Sequence, residues 1–145
     1  ANILISTALV IISSMIQFAG LTWMSSFLRG RGHAPADLTS VVLQGLAILF
    51  IVLMLFVLHS AEVWVYACAY QILGEFSSFE DALYFSATTF SSVGYGDLII
   101  SSEWRLLAAL ESMKGLLLIG WSTAFLVSVT AKVRSFEIDV EQLDD

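Results

Sequence analysis

The sequence has little of what a soluble domain of its size needs. Only 13% of its 145 residues are charged, whereas 58% are hydrophobic. A single cysteine, Cys68, excludes an internal disulfide and a cysteine-rich metal site, and we expect it to be a small buried side chain. Six basic residues stand against 13 acidic ones, so no basic patch for nucleic acid is present. This composition cannot supply a polar surface and indicates a membrane protein.

Three long apolar segments are present, at residues 3–28, 38–58 and 106–133. Each is long enough for the roughly 20 helical residues that cross a bilayer core. The sequence therefore predicts an all-α membrane protein with three transmembrane helices.

The basic residues predict the orientation of these spans. Arg29 and Arg31 lie between the first two spans, and Lys132 and Arg134 follow the third, whereas the 59–105 segment is acidic. Because cytoplasmic loops carry an excess of Lys and Arg, we expect the first loop and the C-terminus in the cytoplasm and the N-terminus outside. The protein would be a multi-pass protein of the cell (inner) membrane.

The segment after the second span continues as an aromatic helix. Trp64, Tyr66 and Tyr70 suit the aromatic belt at the outer interface, and Gly74 is placed to end the helix.

A short helix is predicted at residues 78–91. Ser77 with Glu80, or Ser78 with Asp81, fits a capping box at its start. About 14 residues give a length of roughly 21 Å, which is too short to cross the membrane. The chain must therefore enter the membrane and return.

The returning stretch is "SSVGYGD", residues 91–97. Irregular backbone at membrane depth is tolerated only where it is buried in protein or lines a water-filled path. Gly94 and Gly96 would allow the φ values that point successive carbonyls in one direction, where they could replace the water around a cation.

This stretch resembles the T-V-G-Y-G-D selectivity filter of potassium channels. "FEDALYFSATTFSSVGYGD", followed by an apolar span with Gly115, resembles the pore module of two-span bacterial potassium channels. The resemblance implies a homotetramer in which four re-entrant loops surround bound potassium ions. It implies that the ion sites are formed by the filter, 92–96, through carbonyls and the hydroxyl of its first residue: Ser92, Val93, Gly94, Tyr95 and Gly96.

The resemblance also implies residues that support the filter. The family usually has threonine at Ser92, and Tyr95 favours potassium over a non-selective pore. Tyr84 is expected to contact Asp97, and Thr88 lies on the same short helix.

The third span would be the inner helix. Gly115 and Gly120 lie where the family often has a hinge, although close helix packing is an equal alternative. Leu116, Ile119 and Thr123 would then face the cavity.

Two pairs of ionisable residues lie inside or beside the spans. His59 and Glu62 are one turn apart at the outer end of the second span, and they predict either interfacial polar groups or a proton or divalent-ion sensor. Glu111 and Lys114, spaced i, i+3, predict an ion pair behind the filter. The alternative is that Glu111 binds the short helix, for example at Thr88, while Lys114 reaches other polar groups.

Together these features predict an extra helix at 1–28, a loop at 29–40, a pore module at 41–133 with its inner helix at 106–133, and an acidic cytoplasmic tail at 134–145. The expected function is a potassium-selective channel, not an enzyme, with potassium ions and membrane lipids as ligands and without nucleic acid or another small-molecule substrate. The alternatives are a non-selective cation channel and a potassium-uptake transporter subunit. Because no span carries a ladder of arginines, no voltage sensor is expected.

Overall fold

The computed structural model describes residues 2–30 and 41–141, and the side chains of residues 2–27 and 45–131. Within these residues the chain is helical and has no strand. The helices are α1 (Asn2–Gly30), α2 (Val41–Ile72), α3 (Phe79–Phe90) and α4 (Arg105–Glu141).

Three of these helices are long and apolar enough to cross a membrane. The spans are Asn2–Phe27, Gly45–Ile72 and Arg105–Ala131, with 26, 28 and 27 residues. The 12 residues of α3 rise only about 18 Å, so α3 cannot cross. The predicted all-α membrane fold is confirmed.

One predicted boundary differs from the structure. The inner helix expected to end at 133 continues in α4 as far as Glu141, so the first part of the predicted acidic tail is helical. That this tail lies in the cytoplasm stays a prediction. Most of the loop expected at 29–40 lies outside the described residues.

α3 packs between α2 and α4, and α1 lies against both long helices. The larger core joins α2, α3 and the start of α4 through Tyr66, Tyr70, Phe85 and Leu107. Tyr66 and Tyr70 are fully buried, so their expected place in the outer aromatic belt is wrong, whereas Trp64 is exposed. Cys68 is exposed rather than buried, because it lies on the side of α2 opposite this core.

α1 carries a polar contact near the middle of its apolar span. The buried amide of Gln17 donates to Ser122 Oγ at 2.7 Å and to the Leu118 carbonyl at 3.4 Å. The extra helix is therefore bound to α4 by hydrogen bonds as well as by apolar contacts.

The turn between α2 and α3 has clear local causes. Gly74 has a φ of +74°, and the amides of Gly74 and Glu75 donate to the carbonyls of Gln71 and Tyr70. This Schellman pattern ends α2 as predicted. Ser78 caps α3 by accepting from the Asp81 amide at 3.0 Å, which decides between the two predicted caps.

Candidate functional site

The short helix α3 ends directly at the glycine stretch. Glu80 and Asp81 lie in its first turn, where their negative charges favour the positive end of the helix dipole. No basic residue lies in its last turn, so the negative C-terminal end of the dipole is uncompensated. This end favours a cation beyond Ser91.

The backbone of residues 92–96 alternates in conformation. Ser92, Gly94 and Gly96 have φ values of +60°, +50° and +75°, whereas Val93 and Tyr95 between them have no positive φ. The predicted need for glycine at 94 and 96 is confirmed. The positive φ of Ser92 was not predicted, because a serine gives no sign of it in the sequence, and this conformation is strained for a residue other than glycine.

Two amides of the stretch are held by one carbonyl of α3. Val93 and Gly94 both donate to Thr88 O at 3.0 Å. The Thr88 hydroxyl donates to the Phe85 carbonyl, also at 3.0 Å, so the contact of Thr88 with the filter is made by its backbone.

The carbonyls of residues 92–96 accept no hydrogen bond from the described part of the chain. The amides of Ser92, Val93 and Gly94 donate to α3, and the segment is exposed, with Val93 at 54% and Tyr95 at 72%. The backbone oxygens of the five predicted ion-site residues therefore have no donor within the described part of the chain.

The hydroxyl of Ser92 contacts α4. Its Oγ lies 3.1 Å from Ser112 Oγ and 3.3 Å from the Ser112 carbonyl. This hydroxyl was predicted to lie beside the ion path, whereas in the single chain it contacts the neighbouring helix.

The predicted contact between Tyr84 and Asp97 is present. Tyr84 donates to Asp97 Oδ2 at 2.9 Å, and this hydrogen bond raises the pKa of Tyr84. Phe85 is buried and packs edge-on against Tyr70 with ring centroids 5.2 Å apart.

The two glycines of α4 have different surroundings. A methyl group on Gly115 would overlap the Phe90 carbonyl, whereas one on Gly120 would meet nothing within 4 Å. Gly115 thus allows α4 to approach the end of α3, which favours the packing interpretation for this position.

The predicted cavity residues lie on one face of α4, since they are spaced i, i+3 and i+7. Leu116 and Thr123 are exposed in the single chain. Ile119 is half-buried and also lines a groove with Phe56 and His59 of α2. That the three residues face a central cavity stays a prediction.

Glu111 is fully buried, and its contacts contradict the predicted ion pair with Lys114. Tyr70 donates to its Oε2 at 2.6 Å, and Ser86 Oγ lies 2.5 Å from its Oε1. Glu111 therefore binds the short helix, as the alternative held, but at Ser86 rather than Thr88. Because three helices meet here, neither Ser86 nor Tyr70 could be found from spacing within one helix.

Lys114 lies over two aromatic rings. Its Nζ is 4.4 Å from the Tyr66 ring centroid and 5.0 Å from that of Phe90, and it has no hydrogen-bond partner within the described residues. No carboxylate of the described residues forms a salt bridge with Lys114. Glu62 of α2 and Glu111 of α4 both interact with it electrostatically at longer range.

The predicted contact of His59 with Glu62 is present at 3.2 Å, but its position is deeper than expected. α2 continues from there to Ile72, and Glu62 is fully buried. The expectation that both residues lie at the outer end of the span is therefore wrong.

Comparison with known proteins gives one match. The family model described as "Ion channel" matches residues 47–132, which cover most of α2, all of α3, the glycine stretch and most of α4. No curated protein and no solved structure matches the chain. α1 lies outside the matched region.

Proposed function

The chain belongs to the ion-channel family, and from this premise we propose that it conducts potassium ions passively and selectively across the cell membrane. Four copies would surround one central pore, each contributing one strand of residues 92–96. The ions are the cargo, and each would pass between carbonyl oxygens of the four strands.

The row of unpartnered carbonyls carries this proposal. The amides of Ser92, Val93 and Gly94 donate to carbonyls of α3. The carbonyl oxygens of residues 92–96 have no donor in the described part of the chain and can bind a ligand. A dehydrated cation is the ligand that such oxygens fit, because they can replace its hydration shell. The negative end of α3 adds a favourable field on the same side.

The exposed residues of the single chain support an assembly of four. Tyr95 is a large aromatic side chain with most of its surface uncovered, and Leu116 on α4 is 64% exposed. In a tetramer, Tyr95 would pack behind the filter of a neighbouring subunit and Leu116 would face the shared cavity.

The acidic 59–105 segment and the basic residues that follow the first and third spans support an orientation in the inner membrane. The N-terminus and the outer mouth, near Asp97, would face outside, and the C-terminus would face the cytoplasm.

A non-selective monovalent cation channel is the second candidate. The contact of the Ser92 hydroxyl with Ser112 favours it, because an innermost ion site without that hydroxyl has fewer oxygens. The carbonyls of all five residues, 92–96, would remain, and we expect them to maintain the preference for potassium.

Flux from liposomes that contain the purified protein tests the proposal. Potassium efflux, with little sodium efflux under the same gradient, is the expected result. Equal efflux of both ions would favour the second candidate, and no efflux of either ion would contradict both.

A further inference from the structure

Ser86 lies between two oxygen atoms but has only one proton to give. Its Oγ is 2.5 Å from Glu111 Oε1 and 3.0 Å from the backbone carbonyl of Val63. A carbonyl oxygen can only accept a hydrogen bond, so the contact with Val63 requires the Ser86 proton. The contact with Glu111 must then be donated from the other side.

An ionised carboxylate cannot make that donation. It is acceptor-only, and Ser86 would be left with one proton for two acceptors in a buried site. A neutral carboxylic acid has an O–H group on one oxygen and an acceptor on the other. Glu111 Oε2 already accepts from the Tyr70 hydroxyl at 2.6 Å, so Oε1 is the atom that carries the proton.

We infer that Glu111 is a proton-binding site and is a neutral acid at pH 7. It is the middle of a donor chain that runs from Tyr70 through Glu111 and Ser86 to the Val63 carbonyl. The chain joins α2, α4 and α3, and every contact in it then has one donor and one acceptor. Glu111 is thus a positioning residue that fixes α3 through Ser86.

The charged groups around the site are consistent with a neutral Glu111. Lys114 on α4 interacts electrostatically with both Glu62 of α2 and Glu111, and Glu62 also contacts His59. The single ammonium group can offset the charge of only one of these two carboxyl groups. The hydroxyls of Tyr66 and Tyr70 are the other titratable groups that α2 contributes here.

The remaining elements add no charge near Glu111. α1 has no charged side chain among its described residues 2–27. The acidic residues of α3 are in its first turn, and Tyr84 of α3 donates to Asp97 instead. An ionised Glu111 would leave an excess negative charge in a buried site, which is costly.

Infrared spectroscopy of the protein in liposomes tests the protonation directly. At pH 7 the wild-type protein should show the carbonyl stretch of a protonated carboxylic acid, and Glu111→Gln should remove that band. Glu62→Gln is the matched control and should leave the band in place. A spectrum in which Glu111→Gln removes no such band would overturn the inference.

Flux and stability of two variants give a second readout. The amide of Glu111→Gln can donate to Ser86 and accept from Tyr70, so flux and tetramer survival on heating should stay within about twofold of wild type. Glu111→Leu cannot, and flux should fall by about tenfold or more because buried hydrogen bonds are lost. If the glutamine variant fails as severely as the leucine variant, Glu111 is ionised and the inference is wrong.

The infrared band does not depend on conduction. It separates a failure of this inference from a failure of the proposed channel function, since a protein that conducts no ions would still show or lack the band.

Discussion

The hydroxyl of Tyr84 donates to the carboxylate of Asp97 at 2.9 Å and so joins the middle of α3 to the residue that follows the filter. Thirteen positions of sequence separate the two residues. The amides at the inner end of the filter are held by Thr88, so the strand is fixed to α3 near both of its ends.

We predict that Tyr84→Phe lowers the potassium-to-sodium selectivity of flux, because the outer end of the filter loses its hydrogen bond. A double-mutant cycle with Asp97→Asn checks the cause: the double variant should be no worse than the poorer single variant. Additive losses would show that the two residues act independently.

The same hydrogen bond gives a pH dependence at the outer mouth. It holds the pKa of Tyr84 above its usual value of 10.0, so the bond persists at neutral pH and is lost as the pH rises through the raised pKa. Flux in liposomes should therefore keep its selectivity up to pH 9, and the alkaline loss should be absent in Tyr84→Phe.

Gly94→Ala should abolish potassium flux while leaving the assembly intact. The left-handed backbone at Gly94, with φ of +50°, costs an alanine about 1–2 kcal/mol, and relaxing it would turn a carbonyl out of the row. Gly74→Ala is the matched control, since its φ is +74° and a methyl group there also meets nothing within 4 Å. It should lower stability and keep selective flux. Normal flux in Gly94→Ala would remove the basis of the assignment.

Gly115→Ala should destabilise the protein because the new methyl group would overlap the Phe90 carbonyl. Overpacking of this kind costs about 1–3 kcal/mol, and here it would push α4 away from the end of α3. Gly120→Ala should be neutral or stabilising by up to about 1 kcal/mol, since alanine is the better helix former. Thermal unfolding in detergent measures both, and equal effects would contradict the packing role of Gly115.

Lys114→Met should leave Glu62 without its counter-charge and cost about 3–5 kcal/mol. Adding Glu62→Gln should recover part of this loss, whereas adding Glu111→Gln should not. The measurement is tetramer survival on heating in detergent. If Glu111→Gln recovered stability and Glu62→Gln did not, Lys114 would be paired with Glu111, and this account would be contradicted.

Much of this molecule follows from local sequence. The three spans follow from apolar length, the end of α2 from Gly74, and the start of α3 from Ser78, because each depends on residues within a few positions of one another. The glycine conformations at 94 and 96 follow in the same way.

The contacts between helices could not be predicted in the same way. Spacing on one helix suggested that Glu111 would pair with Lys114, but the rotation of α4 places Glu111 between Tyr70 and Ser86 of two other helices. The inward orientation of Tyr66 could not be predicted for the same reason. A tyrosine ring can lie at the membrane interface or be buried beneath an ammonium group, as it is here under Lys114. Only the packing of the helices decides between them.

The reversal potential of single channels in a planar bilayer, with potassium on one side and sodium on the other, tests the central claim most directly. We expect a reversal potential displaced far towards the potassium equilibrium potential, and no such current from Gly94→Ala. A reversal potential near zero, with equal currents carried by sodium and potassium, would contradict a potassium-selective filter at residues 92–96.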